Sequence, residues 1–166
     1  MIDRLGDVSL NRATRRTMLA VATGALLAGA LAACSSPTDR AATAAEFAGY
    51  KWAVVSISHD GKTTPVPGKY SVYLQFTPDG QFGANEPVNY HSGSYRVTSD
   101  GFTTSNLVST AAGYVGHDPV VLLSVSAIST FGNEVPAQTS VDGSTLTVTV
   151  GSYTLLTHRD GSQADF

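Results

Sequence analysis

Cysteine is almost absent: the chain of 166 residues carries one, Cys34. A single thiol excludes a disulfide framework and a cysteine-rich metal site. Charge is sparse too, with Asp, Glu, Lys and Arg at 14% and a formal balance of −3. A hydrophobic share of 42% excludes a disordered acidic chain, which needs low hydrophobicity and high net charge. A pI near 5.7 argues against nucleic acid as partner, since such binders carry a basic patch or stripe. Only one stretch is continuously apolar, which excludes a multi-span membrane protein. Local catalytic signatures are missing as well. His59, His91, His117 and His158 stand 32, 26 and 41 residues apart, without the H-x-x-H or H-E-x-x-H spacing of a metal site. No serine sits in G-x-S-x-G, and there is neither a Walker loop nor a G-x-G-x-x-G after a strand. A Ser/His/Asp triad needs no closeness in sequence, and no residue here marks one. The reading is of a non-enzyme with no cofactor, no metal and no catalytic residue.

What is present begins with an address. Residues 1–17 carry Arg4, Arg12, Arg15 and Arg16 against Asp3 and Asp7, and Met18 to Ala33 is uncharged and rich in Ala and Leu. A positive segment, a short apolar segment and small residues before a cut site make a secretory signal. Its sixteen apolar residues fall short of the ~20 that span a bilayer. Thr14-Arg15-Arg16-Thr17-Met18-Leu19 resembles the twin-arginine export motif, with Arg15 and Arg16 as the pair. Leu31-Ala32-Ala33-Cys34 resembles the lipobox of bacterial lipoproteins, which implies diacylglycerol on the Cys34 sulfur and cleavage just before it. Two acyl chains, at ~0.8 kcal/mol per buried CH₂, suffice for stable anchoring. The expected organisation is a signal peptide over 1–33, a lipidated cysteine and tether over 34–46, one domain over 47–160 and a tail over 161–166. Without residues 1–33 the chain has 133 residues and a net charge of −5. It is expected to be a monomer tethered through Cys34 to the outer face of the cell membrane, or facing the periplasm.

Past Glu46 the dominant period is two. Tyr70, Val72, Leu74 and Phe76 alternate with Ser71, Tyr73, Gln75 and Thr77, and Leu146, Val148 and Val150 alternate with threonines, as half-buried strands do. Tyr50–Ile57, Ser94–Thr98 and Tyr153–Thr157 are rich in β-formers. Asp-Gly recurs at Asp60, Asp79, Asp100, Asp142 and Asp160, a pair that favours the turns between antiparallel strands. One segment differs: Asp118-Pro119 reads as a cap and first helical residue, followed by Val121, Val125 and Ile128 at helical spacing, with Gly132 just past the end. Asn133 to Thr139 reads as a loop. The predicted fold is α+β and mainly β: a curled antiparallel sheet or small barrel of about six to eight strands with one helix packed on it.

Trp52, then Phe76, Asp79 and Gly80, then Asn89, Gly93 and Tyr95 fall in the order of a motif set. A Thr-containing run to Thr110 and the helical segment follow. Across about residues 47–160 this pattern resembles the META domain, also called the HslJ-like family. The resemblance implies a β-rich envelope protein with no general enzymatic activity, linked to stress tolerance. The chain departs from the pattern at Val88 and Gly113, which stand where the family has two cysteines; no redox role is implied here. The expected function is that of a non-enzymatic envelope lipoprotein acting in stress tolerance or envelope integrity through protein contacts. A carrier of a small apolar ligand and an inhibitor of an envelope hydrolase are the alternatives. The run Asn85–His91 reads as a long loop, and its Glu86, Tyr90 and His91 are the expected partner surface.

Overall fold

The computed structural model describes residues 43–161. Arg15, Arg16 and Cys34, with the signal peptide, most of the tether and the end of the tail, lie outside the described residues. A four-residue helix α1 (Ala44–Phe47) leads into β1 (Tyr50–His59), β2 (Lys62–Pro65), β3 (Tyr73–Phe76), β4 (Gln81–Asn85), β5 (Tyr90–Val97) and β6 (Gly101–Ser109). Helix α2 (Pro119–Ser129) follows, then β7 (Pro136–Asp142), β8 (Thr145–Val150) and β9 (Tyr153–Arg159). All pairings between strands are antiparallel, and β1 pairs with β9, so eight strands close a barrel and β2 adds a ninth beside β1.

Alternation decides what fills the barrel. In β8 the inward side chains are Leu146, Val148 and Val150, as the sequence period requires. In β1 the buried residues are Trp52, Val54 and then Ile57, a change of parity. A register shift between Val54 and Ser56 against β9 supplies the extra residue. The interior is aromatic: Phe102 lies 5.0 Å from Phe76, 5.9 Å from Phe82 and 6.1 Å from Phe131, and Phe47 of α1 lies 4.9 Å from Phe76. The Phe102–Phe131 rings are stacked and the others meet edge-on or tilted, and such contacts add to the burial of each ring.

The strands give the barrel two distinct ends. β3 and β5 finish, and β4 and β6 start, at the end where α1 sits. There the Trp52 indole donates to the Phe47 carbonyl at 2.9 Å, and the Tyr95 hydroxyl donates to the Thr77 carbonyl at 2.8 Å. The Arg159 guanidinium covers the Tyr50 ring at 3.8 Å and donates to the Glu46 carbonyl. At the far end lie the β4–β5 turn, the finish of β6 and the start of α2.

Two sequence expectations are corrected. Tyr70 and Val72 precede the strand: Gly68–Tyr70 is a 3₁₀ turn, and Ser71 adopts a left-handed φ of 51°, so pairing starts at Tyr73. Asn133–Thr139 is not all loop, because β7 begins at Pro136, a position where a strand's first residue loses nothing by lacking an N–H. The barrel's eight strands and packed helix are as expected, and the Asp60-Gly61 turn, with φ of 49° and 74°, returns the chain as one extra strand, β2. Helix α2 is as read: Asp118 accepts from the Val120 amide at 2.9 Å and the Val121 amide at 3.4 Å, and Val121, Ser124, Ala127 and Ile128 form its buried face. The helix ends on a right-handed Thr130, so Gly132 supplies no left-handed cap.

Phe102 touches rings from four other elements, and truncation leaves a void that they cannot collapse into. Phe102→Ala should lower the unfolding free energy by about 3–5 kcal/mol, measured by urea denaturation. A second outcome concerns acid. The Tyr70 hydroxyl donates to Asp118 at 2.6 Å, and this bond, followed by the two helix amides, holds the Asp118 carboxyl below its ordinary value. A lowered native pKa adds stability that is complete above the usual carboxylate range near ~4 and is lost as pH falls through the native value. The thermal midpoint of Asp118→Asn should therefore lie below that of the unsubstituted protein at neutral pH and approach it in acid. A gap that stays constant down to about pH 2 would contradict this.

Candidate functional site

The chemistry-bearing side chains named from sequence gather at the far end, around the β4–β5 turn. Asn85 closes β4, and Tyr90 and His91 open β5, so the connection is the four residues Glu86–Asn89. The expected seven-residue loop is corrected to an ordinary hairpin turn, because β5 reaches four residues further back than its β-rich core suggests. Alternation then fixes where each side chain goes. Phe82 and Ala84 face inward, so Glu86 does as well, and His91, opposite Ala84, joins it.

Glu86 is 2% exposed, and its side chain is fully enclosed. Its Oε2 accepts from the Val88 amide at 2.7 Å, while Oε1 stands 3.6 Å from His91 Nε2. Neither Oε1 nor Nε2 has a hydrogen-bond partner. The two side chains face each other in the interior, so Glu86 and His91 do not present the partner surface expected of them. Tyr90 is the outward member. Its hydroxyl accepts from Gln75 Nε2 at 3.0 Å, above Gly83, where a Cβ would come within 2.7 Å of both groups. Burial pushes the Tyr90 phenol up, against the Gln75 bond.

Asn89 fastens the segment after β6. Its Oδ1 accepts from the Ala112 amide at 2.8 Å and the Thr110 hydroxyl at 3.1 Å, and its Nδ2 donates to the Ala112 carbonyl at 3.2 Å. Beside this fastening opens a cleft of about 490 Å³, bounded by Lys69, Tyr70, Ser71, Asn85, Tyr90 and Thr110 among others. The Asp118 bond raises the Tyr70 phenol, with burial second. Of these residues only Tyr90 is marked by the sequence reading as a site. Tyr70 was absorbed into a strand pattern, and Lys69 and Asn85 are brought to it by chain reversal alone. Elsewhere His59 stacks on Tyr153 at 4.3 Å, and His158 lies beside Thr145. Among the described residues no three of His, Cys, Asp and Glu converge as metal ligands would.

The sequence model of the META domain matches residues 45–160, well over half of the chain. The chain belongs to the META domain family. Two solution NMR structures share the fold. One, of a Burkholderia xenovorans protein, has a TM-score of 0.53 and 13% identity, over 69% of this chain and 84% of that one. The other has a TM-score of 0.56 and 19% identity, over 70% of this chain and 94% of that one. Among curated protein sequences none matches.

The META motif residues are placed as fold-builders. Trp52 and Phe76 are wholly buried, and Gly80 at φ 92° turns β3 into β4 beside the exposed Asp79. Gly93 lies where a Cβ would come 2.6 Å from the Ser105 carbonyl, at a register shift between β5 and β6. The two departures from the motif, Val88 and Gly113, directly adjoin Asn89 and Ala112, the residues joined here by hydrogen bonds.

Removing the imidazole takes away the group that faces the enclosed Glu86 Oε1. His91→Ala should cost about 1–3 kcal/mol in urea denaturation, and adding Glu86→Gln should recover part of that loss. A double variant as unstable as the sum of the two single variants would show that the residues are not coupled.

Proposed function

We propose that this META-domain protein is exported, anchored by lipid on Cys34, and acts in the cell envelope by contact and not by catalysis. The observation that carries the reading is the filled interior. Trp52, Phe76, Phe82 and Phe102 have no exposed surface, so the barrel offers its ends and outer face to whatever it meets. Among the described residues two carboxylates face an imidazole: that of Glu86, beside His91, is sealed from any substrate, and that of Asp60, beside His59, stands exposed on the β1–β2 turn, away from the cleft. An apolar-ligand carrier of lipocalin type is less favoured, because a ligand would have to displace those rings. An inhibitory wedge at Asn85–Ser92 is less favoured too, since half of that run is paired strand and Glu86 in the turn is buried. The lipobox-like Leu31–Cys34 and the pair Arg15-Arg16 support the export route. Stress tolerance through envelope integrity is the physiological role proposed.

In cells, the unsubstituted protein should partition into the detergent phase and be processed, while Cys34→Ser should accumulate as a larger precursor in the aqueous phase. A processed, detergent-partitioning Cys34→Ser protein would remove the lipid anchor from this account.

A further inference from the structure

We propose that the far-end cleft binds an acidic sugar unit, one ring bearing a carboxylate within a polysaccharide chain. This rests on the contact-based reading above and names the chemistry of what is contacted.

The cleft is built before any ligand arrives. The Tyr70 ring is held by its hydroxyl bond to Asp118, and the Tyr90 ring by the bond from Gln75. Asn85 Nδ2 donates to the Ser71 carbonyl at 2.8 Å, which joins one wall to the other and holds Ser71 in its left-handed conformation. Thr110 is set by Asn89 and by its own bond from the Tyr90 amide. Pre-set walls lower the ordering cost of binding.

The groups that remain uncommitted are those a sugar uses. Aromatic rings take the C–H faces of a pyranose, and the Ser71 hydroxyl and Asn85 Oδ1 can meet its hydroxyls. Lys69 supplies the charge. Its ammonium rests 4.9 Å from the Tyr70 centroid, interacts with the Tyr70 hydroxyl and with Asp118, and makes no ion pair among the described residues. The carboxylate among the lining residues, that of Glu86, turns into the barrel. The Lys69 ammonium is thus the charge at the rim that an anionic group can meet. A volume of about 490 Å³ accommodates one or two sugar rings. An acidic peptide fits less well, because extended peptides dock by adding to an open strand edge. Here β3, β4 and β5 are paired on both sides.

The test uses the full chain in detergent micelles and ligand-observed saturation-transfer NMR. The probes are a hyaluronan tetrasaccharide, which carries glucuronate, and neutral chitotetraose of the same length. The hyaluronan fragment should saturate with a Kd near ~1 mM or tighter. Chitotetraose should bind about fivefold more weakly, the worth of one charge-assisted contact at an exposed site. Lys69→Gln should erase that difference, Lys69→Glu should abolish hyaluronan binding, and Lys62→Glu on β2 should change nothing. Lys69 is exposed on the 3₁₀ turn, so its variants should keep the parent thermal midpoint. No saturation up to about 10 mM, equal binding of both sugars, or indifference to Lys69 would overturn the proposal. Equal binding of tetraglutamate or inorganic phosphate would replace the sugar with a general anion and overturn it too. None of these outcomes depends on Cys34, so failure here leaves the anchoring experiment to be judged by itself.

Discussion

Closure of β1 against β9 is the constraint on which the rest of this molecule depends. Seven residue pairs join the two strands, from Trp52–Arg159 to His59–Tyr153, and they remove the free edges that a curled sheet would otherwise expose. A closed barrel of eight strands has an interior just wide enough for side chains. Every inward position must then be filled, and the filling must be large. Six aromatic residues answer that demand, Phe47, Phe76, Phe82, Tyr95, Phe102 and Phe131, contributed by α1, by β3 to β6 and by the segment after α2. In the contact-based reading proposed above, a ligand inside the barrel would have to displace these rings, which turns attention to the rim.

The META motif makes sense in these terms. Trp52 ties α1 to the first strand, and Tyr95 ties β5 to the β3–β4 turn through the Thr77 carbonyl. Gly93 lets β5 and β6 approach where a side chain would strike the Ser105 carbonyl. These residues close one end and permit one crossing of strands. They specify a shape without specifying an activity, which agrees with a family signature spread along the domain and not gathered at a reaction centre.

Much of this shape was legible in the sequence, and the reasons for the failures are physical. The alternation of β8, the Asp118 cap and the Asp-Gly turns are local signals, each resolved within a few residues. Tyr70 misled because a period of two continues through it, while the left-handed Ser71 breaks the chain between Tyr70 and the strand. β7 was hidden by Pro136, and its pairing to β8 is a long-range fact that no local pattern carries. At the site, the parity of Phe82 and Ala84 already required Glu86 to face inward. Reading the segment as a seven-residue loop discarded that parity, and with it the burial of His91. The cleft itself was not legible. Lys69, Asn85 and Thr110 belong to three separate chain segments, which the pairings of β3 to β6 bring together.

Asn89 links the motif to the rim. A residue that grips Thr110 and Ala112 by three hydrogen bonds acts on the cleft by positioning, since Thr110 forms part of its wall. The family pattern has cysteines at the two positions adjoining this grip, and here they are Val88 and Gly113. Their neighbours Asn89 and Ala112 are joined by hydrogen bonds that water can exchange. Each such bond contributes about 0.5–1.5 kcal/mol, so the three together hold the segment firmly but reversibly. Thr110 also bonds the Tyr90 amide, so loosening Asn89 would disturb both a wall of the cleft and the strand that carries its aromatic floor. Fastened by amide and hydroxyl bonds, this contact is insensitive to thiol redox state.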